Sequence, residues 1–209
     1  RGEEEQFEAD RLHMGLTETT MAEAKAMVPI LNINDVVRTA VSRNAQDIDT
    51  DMMLQRFARL LRNNGGKIET NQAVQTIKKV VGGWEIATNK SEFTTRKLVN
   101  AAGAWGDEIA RMASIPEIGL KPMRRSVARL APPGGLDVKS WPMLFGPGER
   151  WYAKADAGAL IVSLAEETPS PPMDAWAHDT DLAEALARYQ DYVSAVSYTH
   201  LRAHETKCY

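Results

Sequence analysis

The run Leu98-Val99-Asn100-Ala101-Ala102-Gly103-Ala104-Trp105 decides how this chain is read. Residues 98–102 predict a short, buried strand, apolar at its start and small at its end. Gly103 closes it, and residues 104–113 predict a helix that follows directly. Small residues at a strand end let backbone approach a ligand closely, and the helix behind them offers N–H groups to negative charge. Ligands of open α/β sheets sit at such strand ends. A tight strand-to-helix turn that needs small residues for packing alone accounts for the same letters. The pattern by itself leaves both readings open.

Upstream of this run the period of the apolar residues is two. Residues 67–70 and 73–80 predict strands, and Gly82-Gly83 predicts a two-residue turn into a strand at 84–88. Asn89-Lys90-Ser91 turns again into residues 92–96. Before this meander, Asp47, Asp49 and Asp51 offer N-caps, and Met53, Phe57, Leu60 and Leu61 follow at helical spacing until Asn63-Asn64-Gly65-Gly66 stops the helix. Nearer the N-terminus, residues 3–14 suit an acidic helix, and residues 32–45 suggest extended structure. Thr20 with Glu23 forms a capping-box pattern for a short helix that Pro29 ends. Strand, helix, strand, antiparallel meander, then an apolar strand into a helix is an α/β layout, with the meander as crossover between parallel strands.

From Pro116 the chain turns to Pro- and Gly-rich loops between short strands at 125–130, 151–154 and 160–164, then a helix at 182–193 striped by Leu182, Leu186, Tyr189 and Val193. This predicts a second, mostly antiparallel region. The expected division is a helical lead-in and connecting segment at 1–43, one domain portion at 44–115, another at 116–195 and a tail at 196–209.

Composition narrows the function classes. The chain has 209 residues, 44% hydrophobic and 25% charged, which suits a self-supporting core and not a disordered chain. A single Cys, Cys208, excludes an internal disulfide framework and a cysteine-based zinc cluster, and points to a reducing, cytoplasmic setting. A net charge of -3 gives no basic footprint for nucleic acid. No apolar run reaches the roughly 20 residues of a membrane helix. The chain opens at Arg1, without Met, in a register that already reads as helix.

The last residues stand apart. His200, His204 and Cys208 share an i, i+4, i+8 spacing, a weak metal-site pattern. Residues 196–206, however, are what an in-frame reading of the transposase-end adapter of sequencing libraries yields. Residues 196–209 are therefore expected to be foreign to the protein, and no metal site is expected.

Leu98 to Trp105, extended as LVNAAGAWGDEIA, resembles the second flavin-contacting motif of the D-amino-acid-oxidase-like FAD-dependent oxidoreductases, which include glycine oxidase, sarcosine oxidase and D-amino-acid dehydrogenases. The Asp-rich cap at Ala45–Asp51, the Gly-Gly stop and the meander match as well. Downstream, GLKPMRRS (119–126), APPGGLD (131–137), WPML (141–144) and EETPSPP (166–172) are most similar to the D-arginine dehydrogenase branch, although Leu164 stands where that branch usually has proline. The resemblance runs from about residue 19 to 187. It implies a glutathione-reductase-like Rossmann portion that binds FAD, with a β-meander crossover, and part of a mixed-sheet substrate domain.

The resemblance also implies roles. Val74 matches the position whose backbone meets the adenine ring. Asn100, Ala101, Ala102, Gly103 and Trp105 match the segment along the adenosine-diphosphate part of FAD. Arg125 and Tyr152 match residues that hold a substrate carboxylate, chemistry suited to a guanidinium fork and a phenol hydroxyl. Without the resemblance, Arg124 and Arg125 read as solvated strand arginines and Tyr152 as a half-buried sheet aromatic. His13 and His178 read as surface residues and Glu166-Glu167 as a loop charge pair. Met21, Met27, Met52, Met53 and Met112 read as core residues.

The expected function is oxidation of D-amino acids, small-molecule substrates, to imino and 2-oxo acids, with the electron acceptor unspecified. A glycine- or sarcosine-oxidase-like amine oxidase is the alternative, and a non-catalytic α/β binding module an alternative of another class. No Gly-x-Gly-x-x-Gly turn occurs in the chain. The resemblance places that turn before Arg1 and further flavin and substrate residues beyond Ala195. The chain is thus expected to be the middle of a longer enzyme and inactive alone.

Overall fold

A computed structural model describes residues 2–174, 176–194 and 202–203. The chain divides into two units, one of Asn44–Leu120 and one of Arg1–Arg43 with the chain from Lys121 onward.

The lead-in holds helix α1 (Gly2–His13), strand β1 (Thr17–Thr19), helix α2 (Met21–Met27) and strand β2 (Thr39–Val41), with β1 antiparallel to β2. Of residues 32–45, read as extended, only Thr39–Val41 form a strand. Arg38 ties α1 to β1. Its guanidinium meets Glu18 at 3.0 Å, bonds Glu8 and lies 4.6 Å over the Phe7 ring. The capping box at Thr20 is complete: the Glu23 N–H donates to the Thr20 hydroxyl at 3.2 Å and the Glu23 carboxylate accepts the Thr20 N–H at 3.0 Å.

That box is pH-sensitive. Bonds from the Thr19 hydroxyl, the Thr20 N–H and the Thr20 hydroxyl hold the Glu23 carboxyl at about 2, against an ordinary 4.5. A folded value below the unfolded one stabilises fully above the unfolded value, and the contribution is lost as pH falls through the folded one. Glu8, bonded by Arg11 and Arg38, and Glu18, bonded by Arg38, are lowered in the same sense. The thermal midpoint is expected to fall from pH 4.5 toward 2 more steeply in the parent than in Glu23→Gln. Parallel curves for the two proteins would contradict this origin.

In the unit 44–120, Asp49 caps helix α3 (Thr50–Asn63) by accepting the Met52 N–H at 2.8 Å. Strands β3 (Val74–Val80), β4 (Gly83–Thr88) and β5 (Glu92–Thr95) form the antiparallel meander in the order β3-β4-β5. Its first turn is Val81-Gly82, since Val80 pairs with Gly83, and Gly82 takes the positive φ of +85° that this turn requires. Gly83 already lies in the strand, so turn and strand fall one place earlier than the sequence predicts. A Cβ there would sit 2.1 Å from the Thr95 carbonyl oxygen, so close backbone approach explains the second glycine. A 3-10 turn at Gly103–Trp105 leads into helix α4 (Gly106–Met112). Ile77, Ile86 and Ala113 form a small core, against which Val74, Trp84, Leu98 and Ile109 pack.

Three expectations for this unit are corrected. Residues 67–70 and 98–102 form no strand, and Val99, read as buried, is 83% exposed. A strand needs a neighbour to take its N–H and C=O groups, and none lies beside either segment among the described residues. Helix α3 has the predicted amphipathic spacing, yet none of its residues is buried: Phe57 is 62% and Leu60 58% exposed. Met52, Met53 and Met112 are exposed with them and are not core residues.

The other unit continues with β6 (Met123–Arg124), β7 (Val127–Leu130), β8 (Leu144–Phe145), β9 (Tyr152–Asp156), β10 (Ala159–Ser163), β11 (Thr168–Pro169), helix α5 (Asp179–Gln190) and β12 (Arg202–Ala203). An antiparallel sheet runs in the order β12-β7-β10-β9-β8, and β6 pairs with β11. Of the tail 196–209, the described residues are Arg202 and Ala203, on β7; the His200, His204, Cys208 pattern lies outside the described residues. Strand alternation separates two faces. Ala128, Leu130, Ala153, Leu160 and Val162 turn to the core, where Leu182, Ala185, Leu186 and Tyr189 of α5 cover them. Ala24, Val28, Ile30 and Leu31 of the lead-in join the same core, and Leu31 bridges Val193. Tyr152 stands on the opposite face. No helix among the described residues is long and apolar enough to cross a membrane.

Candidate functional site

The loop from Val99 to Trp105 is shaped by Asn100. Its side-chain oxygen accepts the Ala102 N–H at 3.2 Å, and its amide nitrogen donates to the Gly106 carbonyl at 2.8 Å. One side chain thus fixes both the bend and the helix start. Asp107 braces the other side, its carboxylate accepting the N–H groups of Ile118, Gly119 and Leu120 at 3.1, 3.0 and 2.8 Å. The loop itself is open. Ala101 and Gly103 are exposed, Ala102 is half-buried, and Trp105 lies 38% exposed beside them. Gly103 has φ +54°, and a Cβ built there meets nothing within 4 Å. An uncluttered ribbon of small residues with an exposed aromatic at its end fits a flat, extended ligand such as the adenosine-diphosphate part of FAD. Val74 opens β3 at a register shift between Val74 and Thr76, which interrupts the ladder there. Val74 and Leu98 pack on one core, so this unit brings the expected adenine position and the start of the loop together.

In the other unit the two arginines of PMRRS part company. Arg124 is 13% exposed in its side chain, donates to Asp181 of α5 at 2.6 Å and meets the His178 ring nitrogen at 2.7 Å. It is a fold-holding residue, not a solvated one, and His178 is its partner at the start of α5. Arg125 is held only loosely, by the carbonyl oxygens of Glu166 and Ala165 at 3.4 and 3.5 Å and the Glu167 carboxylate at 3.5 Å. Contacts this long are weak, so its fork keeps donors for another anion. Tyr152 pairs across the sheet with Phe145 and Ser163, and Ser163 pairs on its far side with Val127. Arg125 and Tyr152 therefore come to the same end of one sheet, flanking Ser163.

Sequence reasoning missed the groups around Arg125. Glu166 and Glu167 are not a charge pair: Glu166 accepts the Ser126 N–H, while Glu167 faces Arg125. Ser163 is fully buried; its hydroxyl donates to the Ser126 carbonyl at 2.7 Å and accepts the Ala165 N–H at 3.1 Å. The available signal was slight: Ser163 is the one polar residue in the apolar run Ala159–Ala165. Among the described residues no group of three or more His, Cys, Asp or Glu could hold a metal ion.

The family described as DAO, FAD dependent oxidoreductase, matches residues 2–205, and the chain belongs to it, with FAD as the family's cofactor. Among solved structures, the fold is similar to L-proline dehydrogenase from P. horikoshii, at 22% identity and TM-score 0.74 over 91% of this chain and 51% of that one. Iminodiacetate oxidase from Chelativorans sp. BNC1 matches at 18% identity and TM-score 0.71, covering 92% and 50%. L-α-glycerophosphate oxidase from Mycoplasma pneumoniae, a structure with FAD bound, matches at 17% and 0.77, covering 96% and 56%. The chain spans about half the length of these proteins.

Proposed function

We propose that the chain is part of an FAD-dependent enzyme that oxidises D-amino acids to imino acids, which water converts to 2-oxo acids and ammonia. The observation that carries this reading is the division of labour between adjacent arginines: Arg124 is spent on Asp181 and His178, while Arg125 keeps its fork open at the sheet end that also holds Tyr152. Arg125 grips the substrate carboxylate bidentately and the Tyr152 hydroxyl donates a further bond, which orients the α-carbon. Val74, Asn100, Ala101, Ala102, Gly103 and Trp105 line the adenosine-diphosphate part of FAD. Bound FAD supplies the two-electron acceptor for the hydride leaving that carbon.

A second reading has support of its own. Proline and iminodiacetate, named for two of the structural neighbours, are secondary amines, which favours a sarcosine- or glycine-oxidase-like activity. The experiment is anaerobic addition of D-arginine, other D-amino acids, sarcosine and glycine to the intact flavin-loaded protein that contains this chain. Bleaching of the visible flavin band by D-amino acids is expected. Bleaching by sarcosine or glycine alone favours the second reading, and a protein that takes up no FAD favours a non-catalytic binding module.

A further inference from the structure

We infer that Glu166 is a positioning residue for Arg125, setting the direction of the guanidinium toward a carboxylate ligand; this rests on the proposed role of Arg125. The end of β10 with the residues after it and the segment around Arg125 clasp each other at two points, and a third bond braces the first segment from within. The Glu166 carboxylate accepts the Ser126 N–H, the Ser163 hydroxyl donates to the Ser126 carbonyl at 2.7 Å, and the same hydroxyl accepts the Ala165 N–H at 3.1 Å. Both backbone groups of Ser126, the residue after Arg125, are thereby fixed. The clasp in turn presents the carbonyl oxygens of Ala165 and Glu166 to the guanidinium, at 3.5 and 3.4 Å. Carbonyl oxygens steer a guanidinium without neutralising its charge, and the exposed Glu167 carboxylate, 3.5 Å away, competes with an incoming anion only weakly.

Two further features set this corner apart from ordinary packing. Ala165 holds a φ of +57°, a left-handed conformation that a residue with a Cβ rarely adopts, and the Ser163 hydroxyl pins its N–H there. The second carboxylate oxygen of Glu166 and the hydroxyl of Ser126 are buried without a partner among the described residues. A core built for stability alone pairs such groups or replaces them.

The test uses the intact flavin-loaded protein and acetate, a probe that is little more than a carboxylate, with its Kd read from perturbation of the flavin spectrum. Glu166→Ala is expected to weaken acetate binding, and to raise KM for the best amino-acid substrate, by about tenfold, with kcat nearly unchanged. Glu166→Gln keeps an oxygen for the Ser126 N–H and is expected to restore both constants to within about threefold of the parent. Ser163→Ala breaks the clasp from its other end, without touching Arg125, and should repeat the Glu166→Ala effect. If Arg125→Met weakens acetate binding while Glu166→Ala and Ser163→Ala do not, the positioning role is overturned and the carboxylate role of Arg125 stands. If Arg125→Met itself leaves acetate binding unchanged, both fall. A lower thermal midpoint for Glu166→Ala with an unchanged acetate Kd also overturns the inference, since it marks a merely structural role.

Discussion

Replacing Arg125 with methionine is expected to raise KM for the carboxylate substrate by about a hundredfold, with a much smaller fall in kcat. Methionine keeps the length and apolar stem of the side chain, so the sheet edge stays packed while the charge and the fork disappear. Losing a bidentate, charge-assisted pair removes binding shared by ground and transition states, which registers mainly in KM. The neighbouring arginine supplies the control. Arg124→Met breaks contacts to Asp181 and His178 across to α5, so it should lower unfolding stability, by about 2 kcal/mol, and leave KM close to the parent value. Steady-state kinetics and denaturant melts on the two variants separate the roles. An unchanged KM in Arg125→Met, or equal KM effects in both, would remove Arg125 from substrate binding. Lysine at 125 should recover only part of the loss, because a point charge replaces a planar fork.

The contrast between these arginines also measures how far the sequence could be read. Local signals were legible where they close on themselves. The Thr20–Glu23 capping box, the Asp49 cap of α3, the meander and the amphipathic stripe of α5 each depend on residues a few places apart. What failed depended on a partner. Residues 98–102 have the letters of a buried strand, but a strand exists only when a neighbour takes its hydrogen bonds, and Val99 faces solvent. Helix α3 repeats the lesson, since spacing predicts an apolar face without saying what covers it. Of the candidate site, the loop at Asn100 and the pair Arg125 and Tyr152 were singled out by a resemblance to a family, and their roles are proposals that rest on it. That Arg124 braces the fold while Arg125 stays loose was not, because Asp181 and His178 lie more than fifty residues downstream. The clasp of Ser126, Ser163 and Glu166 was hidden for the same reason.

Trp151→Ala is expected to be the most destabilising single change in the unit that carries Arg125 and Tyr152, lowering unfolding stability by about 3–5 kcal/mol. The indole is 4% exposed, meets Tyr189 edge-on at 5.5 Å and lies 5.1 Å from Tyr192. It joins the first residues of the sheet edge to the last turn of α5 and immediately precedes Tyr152. Truncation leaves a cavity that rigid strands on one side and a helix on the other cannot close. For a domain stable by about 5–15 kcal/mol that is a large share, and a urea midpoint close to the parent's would refute it. A second change tests the geometry without removing the ring. A methyl added at Gly146 would lie 2.3 Å from the indole nitrogen, so Gly146→Ala should push the ring out of place and cost about 1–3 kcal/mol. In the Trp151→Ala background the same methyl has no ring to strike and points into the vacated space. Its cost should then vanish, and the double-mutant cycle should show strong coupling; independent, additive effects would mean that Gly146 and Trp151 do not share this contact.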